Sequence, residues 1–480
     1  MLTCLCLWPV WAIDFPPLQD YPQHLFLAHV NATYANPAYN WPQHYLATLK
    51  PGPYMLFYLI VVLLEKIMPI TVAGRVFLSL YIGLLAGLAT SMRRCRLVNT
   101  PPWGCLLIFP LAFHQIYFMG FTNFLVSIPL LAFAVLDHHR LTSQPPSALA
   151  FARQALLVAL LLLCHPFTIL VYITLTAANA MLPVTPPAAR KAAWAPPLLT
   201  AAVFLGWYFA AQANPKGKMP LLWWPVLETA RYYSLMFTGM RWSDGINWPV
   251  VAGWASALGI TLWGGIQAIR SKEPLPTRTA LAFALTTAGF FALPFWAGQY
   301  SYFNLRMAPI SYLFAALLAG SSRLPRWAGL SLAAVAALLV RQSTVMQTAL
   351  ARETAEITPL IAAMDANARI LPMTFQTDST VIDRHFFPEA HSHDHFYYHL
   401  LKGGGASPSL FPSPMLPVTL RPNADLPLAT HGFSWQEQGK KYDYILTRNA
   451  PAEFTPFLSR YAPLIAKSGP WLLFQNTHKP

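Results

Sequence analysis

Charge is what this chain has least of. Asp, Glu, Lys and Arg make up 10% of its 480 residues, and only 18 are acids. A chain that is 55% hydrophobic and 14% aromatic, with mean hydropathy +0.41, fits no soluble globular class. Cysteine is scarce too. Cys4, Cys6, Cys95, Cys105 and Cys164 lie in or beside hydrophobic segments, without metal-ligand spacing. None follows residue 164, which excludes a disulfide from the C-terminal region. No P-loop, dinucleotide fingerprint or Gly-x-Ser-x-Gly elbow occurs. No basic run is long enough for a nucleic-acid surface, so no nucleic-acid partner is expected. No long-period repeat is present. The first apolar run, residues 1–13, has no basic residue before it and no small-residue cleavage site after it. It does not read as a signal peptide. It is half a span long, and the expectation is a first helix cut short at its start.

What is abundant is apolar sequence in long runs. Candidate spans fall near 1–13, 54–70, 73–92, 103–119, 121–137, 150–164, 166–183, 192–212, 250–269, 279–298, 304–320 and 327–345. The 32 Lys and Arg residues, against 18 acids, then read as topology, because cationic loops stay cytoplasmic and meet anionic lipid there. If 54–70 lies in the interface, Arg140, Arg190 with Lys191, Arg270 with Lys272 and Arg278, and Arg323 with Arg326 all fall on the cytoplasmic side. Glu65 and Lys66 agree, because a span would bury both. The resulting expectation is an all-α polytopic membrane protein with about eleven transmembrane helices over 1–345. The first loop, 14–71, the aromatic loop, 213–249, and the tail, 346–480, are then extracytoplasmic. In the tail, 346–367 reads as an amphipathic helix, 368–375, 442–447 and 471–475 as short strands, 452–467 as a helix, and 402–430 as an irregular Gly- and Pro-rich loop. The predicted tail is a small C-terminal α/β domain.

Four constellations carry chemistry. Asp14, Asp20 and His24 follow the first apolar run, and carboxylates beside a bilayer are functional candidates. The alternative is a solvated, Pro-broken loop. A carboxylate there is suited to taking a proton from a hydroxyl or to holding a divalent cation. Arg306, in Arg306-Met-Ala-Pro309, starts a predicted helix. It reads as a phosphate clamp or as a snorkelling side chain. The loop 213–249 holds Lys216, Lys218, Trp223, Trp224, Arg231, Tyr232, Tyr233, Arg241, Trp242 and Asp244. It reads as membrane anchors, or as a sugar and headgroup surface. The tail cluster His385, His391, His393, Asp394, His395 and His399 reads as acceptor binding, plain surface polarity, or a zinc site if 391, 393 and 395 share a strand face.

The arrangement resembles the GT-C superfamily of polytopic glycosyltransferases. The resemblance rests on Asp20-Tyr-Pro-Gln-His24 after the first helix, then Pro51-Gly-Pro-Tyr-Met-Leu-Phe-Tyr58, then Ala73-Gly-Arg75 opening a helix that ends in Arg93-Arg94-Cys-Arg96, and the late Arg306-Met-Ala-Pro309. Met119-Gly-Phe-Thr-Asn-Phe124 also looks like a stretch in uncharacterised bacterial proteins of this type. The resemblance implies a bacterial inner-membrane enzyme that transfers a sugar from a polyprenyl-phosphate donor to a glycan, lipid or protein acceptor. It implies Asp20, less directly Asp14, as base or metal ligand, and Arg306 on the lipid phosphate, with Arg231 or Arg241 beside it. No organic cofactor is required; a divalent cation is an option the family uses. Acceptor contacts are expected from Trp223, Trp224, Tyr232, Tyr233, His393 and His395. Two departures stand out. Tyr21 stands where many members have Glu, and the turn from His114 to Asn123 carries no acid. A transporter or flippase of lipid-linked or anionic substrate, and a non-catalytic scaffold of envelope assembly, are the rival readings.

Overall fold

The structure, a computed structural model, describes residues 1–94, 103–143, 147–183, 185, 187–211, 221–237, 239–270, 273–297, 302–384, 387–411, 416–429 and 432–477. Cys95, Arg96, Lys216, Lys218, Lys272 and His385 lie outside them. About 61% of the chain is helical. Among the described residues, five helices are long and apolar enough to cross a membrane, within Ile70–Met92, Thr122–Ser143, Arg190–Phe209, Trp248–Gln267 and Arg326–Ala362. This is a helical membrane protein. Five more apolar helices are shorter: Leu2–Ala12, Trp103–Phe113, Ala148–Cys164, Pro166–Met181 and Met307–Ser321. Trp103–Phe113 is a 3-10 helix with Pro110 inside it, where the missing N–H and the ring disfavour an α-helix. The segment argued to lie in the interface forms only Leu56–Leu64. Nine residues rise about 14 Å, far short of the roughly 30 Å of a bilayer core.

The elements around the first loop are α1 (Leu2–Ala12), α2 (Tyr21–Thr33), β1 (Tyr45–Ala47) and α3 (Leu56–Leu64). Helix α2 is buried all round its first ten residues, Tyr21 to Val30. It has no lipid-facing stripe because the tail covers it. Phe26 packs against Phe396 at 4.9 Å between ring centroids, and the Tyr397 hydroxyl donates to Pro16 O at 2.9 Å.

In the tail, β2 (Ile370–Thr374), β4 (Tyr444–Arg448), β6 (Trp471–Gln475) and β5 (Leu464–Ser468) form one four-stranded sheet in that order. β2 and β4 pair in parallel and the other pairs are antiparallel. A seven-residue cluster of fully or nearly buried side chains, including Leu371, Ile445, Leu458 and Phe474, lies on this sheet. Other tail residues, such as Ile370, Ile382 and Phe396, belong to the same core as the membrane helices.

Four tail expectations are corrected. Residues 346–367 do not form a separate helix: Arg326–Ala355 runs on unbroken for 30 residues, and Thr358–Ala362 follows. The helix expected over 452–467 is only Phe454–Leu458. Pro463 cannot donate within a helix, and Gly469 at φ +52° turns β5 back onto β6. The loop 402–430 contributes β3 (Val418–Leu420), which pairs with β1 across the chain. Residues 391–395 are turn, not strand, and lead into the helix Phe396–Lys402. The i,i+3 contact of His391 with Asp394, at 2.7 Å, stabilises that turn.

Candidate functional site

The site starts from one close backbone contact. Gln19 N donates to Phe118 O at 2.8 Å and Asp20 N to Met119 O at 3.1 Å. The next residue, Gly120, has φ +75°. A Cβ there would lie 2.7 Å from Tyr21 N and 2.8 Å from Asp20 N. Only glycine combines this φ with so close an approach. Asp20 is the residue before α2, yet its carboxyl makes no capping bond. The carboxylate is therefore not consumed by the helix end, although the helix N-terminus favours negative charge there.

The same turn reaches two other motifs. Phe121 lies under the Arg306 guanidinium, 5.0 Å from Cζ to the ring centroid. Asn123 accepts from Phe57 N and donates to Tyr54 O, both at 2.8 Å. It thereby pins Tyr54, itself at φ +71°, beside the rings of His24 and His165. Residues 119–124 thus bind the Asp20 segment, the Tyr54 segment and the arginine together.

Asp20 is 7% exposed. Gln19 Nε2 lies 3.2 Å from Asp20 Oδ1 and 3.2 Å from Glu389 Oε2, so one amide bridges two carboxyls. His393 Nε2 is 3.5 Å from Asp20 Oδ1. Burial pushes the Asp20 carboxyl up to about 8, and the nearby Glu389 adds to this; Gln19 and the Arg306 charge oppose it. Desolvation penalises the charged carboxylate more than these partners restore. The His393 imidazole is held neutral by burial, down at about 4. Its contact with Asp20 is therefore a neutral ring beside a carboxyl, not an ion pair.

His24 sits one turn into α2. Its Nδ1 is 2.7 Å from the Tyr58 hydroxyl, and burial, with His393 next, lowers it to about 3. His24 and His393 both pack on Phe411, at 5.4 and 5.0 Å. His24 Nε2 and His393 Nδ1 are buried with no hydrogen-bond partner among the described residues. His395 is buried against Phe396 at 4.2 Å. Burial drives it well below the usual imidazole range.

The remaining sequence candidates are placed elsewhere. Asp14 points outward, its side chain 88% exposed, with Oδ1 3.2 Å from Arg75 Nη2. Arg241 is 1% exposed, and its Nε donates to Asp383 Oδ2 at 2.9 Å. Arg231 is exposed on the helix Val226–Ser234. Trp223 is exposed, with Nε1 donating to Ala292 O at 3.0 Å. Trp224 stacks on Phe295 at 3.9 Å and meets Tyr232 at 4.5 Å. The Tyr233 hydroxyl is 2.8 Å from Ser311 Oγ. One face of the Trp224 ring is thus already covered by the protein.

Sequence reading gave no role to Gln19, Tyr58, Phe121, Glu389 or Phe411; Gln19 adjoins Asp20, and Tyr58 and Phe121 lie in stretches it singled out, whereas Glu389 and Phe411 carried no local signal. His391 holds the tail loop in register: Nδ1 contacts Asp394 and Nε2 lies 3.4 Å from Glu353 Oε2. Glu353 Oε1 also accepts from Thr380 N at 2.9 Å. Among the described residues, no group of three or more His, Cys, Asp and Glu side chains is arranged to hold a metal ion. Comparison of the chain with protein-family models, with curated proteins and with solved structures gives no match.

Proposed function

We propose that the protein is a membrane glycosyltransferase that moves a sugar from a polyprenyl-phosphate donor to an extracytoplasmic acceptor. The observation that carries this reading is the turn at residues 119–124. It gathers a buried carboxyl with a raised pKa and an arginine into one electrostatic unit. Attack by an alcohol needs a base, and departure of a phosphate needs a cation, in the same place. Asp20 is the group on which the base function rests. Arg306 pairs with the leaving phosphate by its planar fork of donors. Arg241 is left out, because its charge is met by Asp383.

An apolar cavity of about 170 Å³ supports a lipid-linked donor. It is lined by Phe167, Leu170, Thr174, Leu285, Phe303 and Met307 among others. Met307 directly follows Arg306, so apolar lining and cation adjoin, as an amphiphilic phosphate requires. In the topology that fits this reading, apolar segments besides the five long helices also enter the bilayer, for about eleven transmembrane helices in all, and the tail is an extracytoplasmic α/β domain on a bacterial inner membrane. The acceptor is an envelope glycan, lipid or protein that enters between the first loop and the tail.

The test is transfer from extracted polyprenyl-phosphate sugars by the purified chain in lipid. Asp20→Asn is expected to lose about 10²- to 10⁴-fold in rate. Arg306→Gln is expected to slow the same step. Full transfer by the Asp20→Asn protein would sink the base assignment. Movement of the lipid-linked sugar across vesicles without transfer would favour a flippase.

A further inference from the structure

Asp20 comes from the first loop and His393 from the tail, yet their side chains meet inside the protein. His393 Nε2 faces Asp20 Oδ1 at 3.5 Å. Its other nitrogen, Nδ1, is buried and unpartnered among the described residues. A buried imidazole with one nitrogen on a carboxyl and the other open is unusual, because buried polar atoms are nearly always satisfied. His24 presents a second open nitrogen, Nε2, across Phe411 from His393.

We propose that Asp20 and His393 act as one proton-accepting unit, with His393 Nδ1 the atom that meets the acceptor hydroxyl. This deepens the glycosyltransferase reading above and rests on it for its activity arm. The acceptor O–H gives its proton to the Nδ1 lone pair. The alkoxide oxygen bonds the anomeric carbon. The bond from that carbon to the phosphate oxygen breaks, and its electron pair leaves with polyprenyl phosphate. The imidazolium that forms is stabilised by the Asp20 carboxylate through Nε2–H, and it later releases the proton to water. Two coupled groups of this kind take up one proton with an apparent pKa that belongs to the pair. A 3.5 Å contact is long for a hydrogen bond, but such contacts often shorten only when substrate is bound.

The groups facing the pair come from several elements. Glu389 and Arg306 act on Asp20 with opposite sign. Tyr58 and Tyr302 both lie within electrostatic reach of Asp20. His24 and His395 neighbour His393. Glu389, whose carboxyl burial pushes up, and Arg306 are the members of opposite sign; burial keeps the two histidines neutral and the two tyrosines protonated at pH 7.

The experiment has two arms on the full chain in detergent or nanodiscs. In the first, ¹⁵N-histidine NMR follows the His393 ring nitrogens, assigned by their loss in His393→Gln. They are expected to shift with a midpoint near the Asp20 value of about 8, and the shift should vanish in Asp20→Asn. Ring signals that stay constant from pH 6 to 9, or that titrate identically in Asp20→Asn, overturn the pair. This arm needs no transferase activity and leaves His393 in place. In the second, His393→Gln is expected to lower kcat on the order of 10²-fold with KM within about twofold. Wild-type kcat in His393→Gln, beside a loss in Asp20→Asn, overturns the pair and leaves the base role of Asp20 standing. No transfer by the wild type would instead refute the glycosyltransferase reading, and the NMR arm would still decide the pair.

Discussion

On the proposed glycosyltransferase reading, transfer should switch on as pH rises from 6 to 9, and the burial of Asp20 sets the size of the switch. Asp20 must be ionised to serve as base or as partner to a base. Its pKa is raised from 3.8 to about 8, chiefly by burial. The carboxylate fraction is then about 1% at pH 6, about half at pH 8 and roughly 90% at pH 9. The rate should rise about tenfold per pH unit below 7 and level off above 9, for a total gain on the order of 90-fold. Two substitutions move the midpoint in opposite directions. Glu389→Gln removes a neighbouring charge that holds the proton on Asp20, so the midpoint falls. Arg306→Gln removes a cation that favours the carboxylate, so the midpoint rises. The assay is initial transfer rate from a polyprenyl-phosphate sugar, at saturating donor, across that pH range. A flat profile, or a midpoint near 4, would refute the argument that burial governs Asp20. Stability provides a check that needs no substrate. The folded pKa lies above the unfolded one, so the carboxyl binds its proton more tightly when folded. Its contribution is fully present below about pH 4 and is lost as pH rises through about 8. The shift corresponds to roughly 6 kcal/mol against the folded carboxylate. Asp20→Asn should therefore match the wild type below about pH 4 and exceed it by a few kcal/mol at pH 9 in denaturant unfolding.

Gly120→Ala should abolish transfer and lower the melting temperature, because its Cβ would lie 2.7 Å from Tyr21 N at a φ that disfavours side chains; a wild-type rate would show that the backbone contact is dispensable. Asp14→Asn should keep full transfer and change stability by less than about 1 kcal/mol, since its pair with Arg75 is exposed on the carboxylate side; a large loss of rate would return Asp14 to the site. His391 is pushed down by burial, but Asp394 and Glu353 outweigh this and its pKa is raised. The stability it gives the tail is full below its unfolded pKa of about 6.5 and is lost as pH rises through the higher folded value. Protection factors of residues 376–384 and 387–395, corrected for base-catalysed exchange, should accordingly fall at alkaline pH in the wild type, and in His391→Gln they should be low at every pH.

Some of this molecule was readable from local sequence. Strands β2 and β6 lie inside the predicted ranges and β4 overlaps its range, running one residue past it to Arg448, because short apolar runs bounded by turn residues specify themselves. Glu65 and Lys66 argued against a span over 54–70, and the helix that forms there, Leu56–Leu64, is nine residues long. What failed did so where distant pairing overrides local preference. Residues 464–468 became a strand because β6 offers an antiparallel partner after Pro463 stops the helix. β3 was invisible within a Gly- and Pro-rich stretch because its partner, β1, lies in the first loop. Candidate residues divided on similar lines. Asp14 and Asp20, six positions apart, end in opposite environments because only Asp20 touches Met119 and Gly120.

The sequence by itself determined that this is a helical membrane protein, because hydropathy and scarcity of charge are summed over residues and need no contacts. It also marked Asp20, His24, Arg306 and the tail histidines as chemically unusual. Only the tertiary structure decided that Asp20, rather than Asp14, loses its water. It alone placed Glu389, His393 and Arg306 around that carboxyl. Burial and the proximity of charges shift a pKa, and both depend on segments that are remote in the chain and meet only when it folds.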